Sequence, residues 1–152
     1  MRLALYQPDI AGNTGTIIRL CACFGVAIDI IEPCGFPFSD KQLKRSSMDY
    51  AARADVTRRI NFENFADAMN RGGHRIILLT SKGDTRLPDT EFRADDVLLL
   101  GSEGAGVPDD VHDRAALCVR IPMQVEFRSL NIAVAAGIAL NEALRQTGQY
   151  PA

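Results

Sequence analysis

The stretch LLLGSEGAGVP, residues 98–108, joins an apolar run to a loop with three glycines and one carboxylate. Glycine loops after strands often bind phosphates through backbone N–H groups. A P-loop requires a lysine and a hydroxyl residue after its last glycine, and neither follows Gly106. The glycine spacing also differs from that of dinucleotide-binding folds. The Glu103 carboxylate would also repel a phosphate. The loop therefore predicts either a ligand with neutral or cationic donors, such as ribose hydroxyls, an adenine edge or an ammonium group, or merely a tight turn.

Short apolar runs on both sides of this loop indicate the fold class. Runs of four or five residues, each closed by Pro, Gly or Asp, predict buried strands at residues 3–6, 27–31, 75–79, 97–100 and 117–121. Helical spacing of apolar residues predicts helices over 14–24, 61–71 and 131–146. This alternation predicts an α/β fold with a mostly parallel sheet flanked by helices, and the length of 152 residues predicts a single domain over 1–152.

Unusual polar stretches follow four of the predicted strands. In parallel sheets, ligands bind beyond the carboxyl ends of the strands, so stretches at those ends are expected to share one site. The four stretches are QPDIAGNTGTIIR (7–19), TSKGDTRLP (80–88), GSEGAGVP (101–108) and PMQVEFRSLN (122–131).

Two of these stretches contain helix starts. Asn13 is predicted to cap the first helix, with Arg19 about one and a half turns inside it. Ser129 or Asn131 is predicted to cap the last helix, which is rich in alanine and contains Gly137. Such small residues permit close approach of core elements, of another subunit or of a ligand, and the residues alone leave these alternatives open.

Composition excludes several function classes. The chain is 47% hydrophobic and 24% charged, as is ordinary for a soluble globular protein, and it has no apolar run near the roughly 18 residues that a membrane helix needs. The N-terminal apolar stretch is too short for a secretory signal, so the cytoplasm is expected. His74, His112 and the four cysteines lack metal-ligand spacing, so no metal site is predicted, and the thiols are expected to be buried and structural.

The charge balance limits nucleic-acid binding to a local surface. The formal net charge is −2, whereas a nucleic-acid-binding domain is usually basic. A basic surface can nevertheless form where cations are close in sequence, although such a run is more often a solvated face. These cations are Lys41, Lys44, Arg45, Arg53, Arg58 and Arg59.

Four ordered motifs resemble those of the SPOUT-class RNA 2′-O-methyltransferases, in particular the small TrmL-like branch that methylates the wobble ribose of certain tRNAs. They are NTGTIIRLCACFG (13–25), IIEPCGFPFSDKQLKRSSMDY (30–50), LLGSEGAGVP (99–108) and RIPMQVEFRSLNIAVAAGIALNEALRQ (120–146). The resemblance covers essentially the whole chain. It implies a C-terminal trefoil knot, a homodimer with the active site at the interface, and a tRNA anticodon stem-loop as the partner.

The same resemblance implies S-adenosylmethionine as the cofactor, held by the glycine loop. Leu79, Gly101, Glu103, Gly106, Ile121 and Ser129 match the family's cofactor-binding positions. Catalytic roles fall on Arg19, Asn13, Ser129 and Asn131. Arg19 is either a general base or, as we prefer because a guanidinium is hard to deprotonate, a group that binds a phosphate and stabilises oxyanion charge.

Three functions remain open from the sequence. The first is methylation of the wobble cytidine or uridine of leucine tRNAs. The second is methylation of another tRNA or rRNA ribose, and the third is a non-catalytic RNA-binding dimer. The variable segment QVEF (124–127) puts the choice of substrate, rather than the reaction, in doubt.

Overall fold

The computed structural model describes residues 1–39 and 50–152. Its strands form one sheet in the order β3-β2-β1-β6-β4-β7-β5, and every strand pair in that sheet is parallel. In chain order the elements are β1 (Arg2–Tyr6), α1 (Ala11–Phe24), β2 (Ala27–Ile31), β3 (Val56–Arg59), α2 (Phe62–Arg71), β4 (Ile76–Leu79), β5 (Thr85–Arg86), β6 (Val97–Leu100), α3 (Asp109–Asp113), β7 (Leu117–Arg120) and α4 (Ile132–Thr147), with short 3₁₀ helices at Tyr50–Arg53 and Leu87–Asp89.

Strand β6 lies between β1 and β4 and is buried along its whole length. Successive side chains of a strand point to opposite faces, so Leu98 and Leu100 join the core beneath α1 and α4, whereas Val97 and Leu99 join the core beneath α2. Helices cover both faces of the sheet, which explains why its central strands read as continuous apolar runs rather than alternating ones.

The small residues of α4 pack against the core. Ala136, Ala139 and Ala143 are fully buried, and α4 contacts α1. Close helix packing within one chain therefore accounts for part of the alanine-rich pattern. On another face of the same helix, Val134 and Ile138, one turn apart, are 50% and 41% exposed.

The predicted α/β fold with a mostly parallel sheet is confirmed, and the five predicted strands are present within one residue of their predicted ends. Two further strands were missed: β3 and β5 lie at the sheet edges, where VTRR and TR have no continuous apolar run. The trefoil knot stays a prediction. In the described ranges, no helix is both long and apolar enough to cross a membrane.

The prediction that the cysteine thiols are buried is confirmed for Cys21 and is wrong for Cys23. Cys21 is buried, and burial raises its pKa to about 12. Cys23, two positions later on α1, is exposed, and Cys34 and Cys118 are half-buried. The difference between Cys21 and Cys23 follows from the helix period, because residues two apart point to different faces.

Two buried carboxylates anchor the sheet. Asp29, in β2, accepts hydrogen bonds from Arg2 at 2.8 and 2.9 Å and from Arg59 at 2.6 Å. Asp96, just before β6, accepts two bonds of 2.8 Å from Arg75. Both carboxylates are fully buried, and hydrogen-bonded pairing is what makes such burial tolerable.

Candidate active site

The carboxyl ends of β4, β6 and β7 open onto one cavity of about 810 Å³. Segments that follow these strands form its walls, together with the starts of α1 and α4. The predicted convergence of the strand ends therefore occurs. Every predicted site residue except Arg19 lines this cavity: Asn13, Leu79, Gly101, Glu103, Gly106, Ile121, Ser129 and Asn131.

The glycine loop after β6 is both a tight turn and a wall of the cavity. Ser102 and Gly106 exchange backbone hydrogen bonds of 2.9 Å in each direction. Gly106 has φ of 68°, which favours glycine, and a Cβ added to Gly101 would lie 2.7 Å from the carbonyl carbon of Gly106. The two readings of the loop left open by the sequence are therefore compatible, since the glycines make the turn and the turn faces the cavity.

Glu103 fastens this loop to the segment after β1. Its carboxylate accepts hydrogen bonds from the backbone N–H of Asp9 at 2.8 Å and from Nδ2 of Asn13 at 3.3 Å. In return, the Asp9 carboxylate accepts a bond of 3.0 Å from the backbone N–H of Gly104. We call these reciprocal contacts of Asp9, Asn13, Glu103 and Gly104 the loop latch. The latch means that Glu103 positions the loop as well as facing the cavity.

Asn131 extends the latch to the start of α4. Its Nδ2 donates to Oδ1 of Asn13 at 3.1 Å, and its Oδ1 accepts from the backbone N–H groups of Ala133 and Val134 at 2.9 and 3.3 Å. Of the two predicted caps of this helix, Asn131 is therefore the cap. Hydrogen bonds thus connect α1, the glycine loop and α4 around the cavity.

The predicted cap role of Asn13 is wrong. Helix α1 begins at Ala11, and its N-cap is Ile10, which makes no side-chain cap hydrogen bond. Asn13 is the third helical residue, so Arg19 lies more than two turns inside the helix rather than one and a half. The amide of Asn13 instead bonds to Glu103 and Asn131, which are distant in sequence.

Arg19 is separated from the other predicted site residues. It is exposed on α1 and is not among the described residues that line the cavity. Its guanidinium carbon lies 4.7 Å from the ring centroid of Tyr50. This distance is within the range of a cation–π contact.

The predicted basic cluster is only partly a free cationic surface. Arg59 is paired with the buried Asp29, and Arg58 is paired with Glu32 and lies over the ring of Phe38. Arg53 is exposed, whereas Lys41, Lys44 and Arg45 lie outside the described residues.

Sequence reasoning missed Asp9 and a side-chain pair at the cavity edge. Asp9 lies three residues after the end of β1, where the strands end, and this position could have identified it as a candidate site residue. His112 lines the cavity, and its Nδ1 lies 3.3 Å from Sγ of Cys118. Burial, followed by the charges of Asp84 and Asp113, raises the pKa of Cys118, so its thiol stays protonated at neutral pH.

Within residues 1–39 and 50–152, no group of three His, Cys, Asp or Glu side chains is arranged to hold a metal ion.

The chain is similar in sequence and structure to RNA methyltransferases. It is 50% identical to a tRNA (cytidine(34)-2′-O)-methyltransferase of Beijerinckia indica, over 96% of this chain and 91% of the relative. A solved structure described as giving insights into 2-OH methylation of C/U34 on tRNA superposes with a TM-score of 0.90 at 39% identity, covering 95% of this chain and 94% of that one.

A solved AdoMet-bound rRNA methyltransferase from Sinorhizobium meliloti superposes with a TM-score of 0.86 at 31% identity. The match covers 95% of this chain and 55% of that one. The family model described as SpoU rRNA Methylase matches residues 1–141. The chain therefore belongs to the SpoU rRNA Methylase family.

Proposed function

We propose that this protein is a single-domain enzyme that transfers a methyl group from S-adenosylmethionine to the 2′-hydroxyl of the first anticodon nucleotide of tRNA. Its target is cytidine or uridine in leucine acceptors, and it works in the cytoplasm. The observation that carries this proposal is the meeting of eight predicted site residues in one cavity, in a chain that is 50% identical to a tRNA (cytidine(34)-2′-O)-methyltransferase.

The cavity fits S-adenosylmethionine in size and chemistry. Its volume of about 810 Å³ is within the usual range for small-molecule sites. Backbone groups of Leu79, Gly101, Gly106 and Ile121 would hold the cofactor through donors and acceptors without net charge, and the nearby Glu103 suits a cationic ligand better than a phosphate. When bound, the cofactor supplies an electrophilic methyl group, so the protein chiefly has to align the ribose hydroxyl with it.

The other predicted residues take positioning and electrostatic roles. Ser129, which lines the cavity, would contact both the cofactor and the ribose hydroxyl. Asn13 and Asn131 hold the glycine loop and the start of α4 in place through the latch. Arg19 binds a phosphate beside the target ribose and stabilises the oxyanion that develops on the hydroxyl, because a guanidinium is rarely deprotonated and is a poor general base.

The position of Arg19 supports a homodimer in which each cavity is completed by the partner's Arg19. Within one chain, Arg19 lies on an exposed part of α1 and outside the cavity-lining set. Large apolar side chains near the cavity and along α4 are exposed, as is typical of a surface that another subunit covers. These are Ile10, Leu130, Val134 and Ile138.

The decisive experiment uses labelled S-adenosylmethionine and tRNA that lacks the wobble methyl group, followed by alkaline hydrolysis. A 2′-O-methyl group protects the adjoining phosphodiester, so an alkali-resistant dinucleotide containing nucleotide 34 is expected. The control is the same tRNA with a 2′-deoxy residue at this position, which should accept no methyl group. A resistant dinucleotide from another position or from rRNA would replace the proposed target, and RNA binding without methyl transfer would favour the non-catalytic dimer.

Replacing Asp9 with alanine is expected to weaken S-adenosylmethionine binding by about 10- to 100-fold, because the loop latch then loses a charge-assisted hydrogen bond of roughly 1.5–3 kcal/mol. Asp9→Asn keeps an oxygen that can accept from the Gly104 N–H, so its affinity should lie between alanine and wild type. Isothermal titration measures both Kd values. Asp67→Ala on the exposed face of α2 is the matched control. Equal affinity of the Asp9→Ala and Asp67→Ala variants would show that the latch does not position the loop.

A further inference from the structure

A second cavity, of about 270 Å³, adjoins the first at the edge of the sheet. The C-terminal end of β7, one residue of β5 and the segment that follows β7 surround it. Ser81, Ile121 and Met123 line both cavities. The second cavity therefore lies within reach of a polymer whose reacting group occupies the first.

Three arginines line the second cavity: Arg86, Arg120 and Arg128. No carboxylate is present among its described lining residues. Such a concentration of positive charge is unusual in a chain whose formal net charge is −2. A cavity lined by one sign of charge concentrates ligands of the opposite sign, so this cavity favours an anion.

Arg120 and Arg86 keep N–H donors available to a ligand. Arg120 is half-buried and uses one terminal nitrogen to donate to the carbonyl oxygen of Gly83 at 2.8 Å. A Cβ at Gly83 would lie 2.6 Å from the carbonyl carbon of Val119, so the loop packs directly against β7. This packing fixes the position of the Gly83 carbonyl oxygen that accepts from Arg120. A guanidinium carries five N–H donors, and one such bond leaves the others for a ligand. Arg86 pairs with Asp89 at 3.5 Å, but both side chains are more than half exposed, which makes this pair weak.

An exposed aromatic ring lies beside the arginines. Phe127 also lines the second cavity and is 64% exposed. A turn holds this segment, because the backbone N–H of Phe127 donates to the carbonyl oxygen of Gln124 at 3.1 Å. Unpaired RNA bases stack on such rings, and arginine binds the adjoining phosphates with bidentate geometry.

We propose that this arginine-lined cavity binds a backbone phosphate of the RNA next to the target nucleotide, while Phe127 stacks on an unpaired base of the same loop. The inference rests on the proposed function and specifies how its substrate is held. Arg128 lies immediately before Ser129 in the chain, so this contact links RNA binding to the residue proposed to meet the ribose hydroxyl. The cavity would thus set which nucleotide reaches the methyl group.

The test compares two double variants with the same change of charge. Arg86→Gln/Arg128→Gln removes two cations of the cavity. Arg71→Gln/Arg93→Gln removes two exposed cations that precede the amino ends of β4 and β6, at the opposite ends of the strands from the main cavity. For the cavity variant, KM for an anticodon stem-loop RNA should rise about tenfold, and the slope of log affinity against log salt should fall by roughly 0.7 for each lost contact to a single-stranded phosphate. The kcat at saturating RNA and the Kd of S-adenosylmethionine should match those of the control.

The outcomes separate this inference from the proposed function. If the wild-type protein methylates the RNA but both double variants have the same KM and salt slope, the phosphate site is wrong and the function stands. If no RNA is methylated, the function fails, and equilibrium binding of the stem-loop still compares the two variants. Dissociation of the cavity variant into monomers during sedimentation would overturn the RNA site in favour of a contact between subunits. Phe127→Ala, compared with Phe127→Tyr, should weaken stem-loop binding, whereas the tyrosine should retain it.

Discussion

Replacing Arg19 with alanine is expected to lower kcat by roughly 10²- to 10³-fold, the usual effect of removing one donor that stabilises developing oxyanion charge. The Kd of S-adenosylmethionine should stay the same, because the role proposed for Arg19 is toward the RNA phosphate and the developing oxyanion rather than toward the cofactor. Single-turnover methylation of saturating tRNA measures the chemical step, and titration measures cofactor binding. Arg19→Lys keeps the charge but loses the planar fork, so its rate should lie between those of alanine and wild type.

Mixing subunits tests whether this arginine acts across the proposed homodimer. Gly101→Ala should prevent the glycine loop from forming its tight turn and so abolish cofactor binding, because the added Cβ would lie 2.7 Å from the carbonyl carbon of Gly106. In a dimer of one Arg19→Ala chain and one Gly101→Ala chain, one site would have an intact cavity and the partner's intact Arg19. Two inactive homodimers, dissociated and mixed, should therefore recover about a quarter of the wild-type activity, because half of random dimers are mixed and each has one working site.

The same mixture decides whether Arg19 acts on the partner's cavity or on the cavity of its own chain. No recovery of activity, with mixed dimers demonstrated by differently tagged chains, would mean that Arg19 acts on the cavity of its own chain. Full activity of the Arg19→Ala homodimer would remove Arg19 from the mechanism. Arg71→Ala, on an exposed position of α2, is the control for loss of surface charge and should leave kcat within about twofold.

Replacing Asp29 with alanine is expected to lower the free energy of unfolding by about 3–5 kcal/mol, because it breaks a buried ion pair and leaves two cations without their partner. Asp29 is fully buried, and Arg2 and Arg59 approach it from β1 and β3 on either side. Their side chains are only 22% and 20% exposed, so water can replace little of the lost carboxylate. Urea unfolding followed by circular dichroism at one fixed protein concentration measures the effect, since the stability of the proposed homodimer would depend on concentration.

Glu32→Ala provides the matched control for this stability prediction. Glu32 follows β2 and pairs with Arg58, whose side chain is more than half exposed. Loss of such a surface pair should lower the free energy of unfolding by at most about 1 kcal/mol. If Asp29→Ala is no more destabilising than Glu32→Ala, the buried triad of Asp29, Arg2 and Arg59 does not hold the sheet edge together.

Most elements of the sheet could be predicted from local pattern. Continuous apolar runs such as that of β6 indicate strands buried on both faces, and the structure has those strands. Strands β3 and β5 were missed because a strand at a sheet edge keeps one side toward solvent and needs no apolar run. Asn13 was assigned the wrong helix position for a related reason: a good cap residue is recognised from its neighbours, but its amide is used by residues about 90 and 118 positions away.

The sequence by itself determined the α/β class and the glycine turn, because periodicity and turn chemistry are properties of short stretches of chain. The site residues that line the main cavity were predicted only through the resemblance of ordered motifs to a known family. The tertiary structure alone decided which of these residues meet. Strand order brings Asp9 and Glu103 together across 94 positions, buries Asp29 between two arginines, gathers Arg86, Arg120 and Arg128 around a second cavity, and leaves Arg19 away from the site that it was predicted to serve. Such contacts depend on how distant segments cross in the folded chain, and no local pattern encodes that crossing.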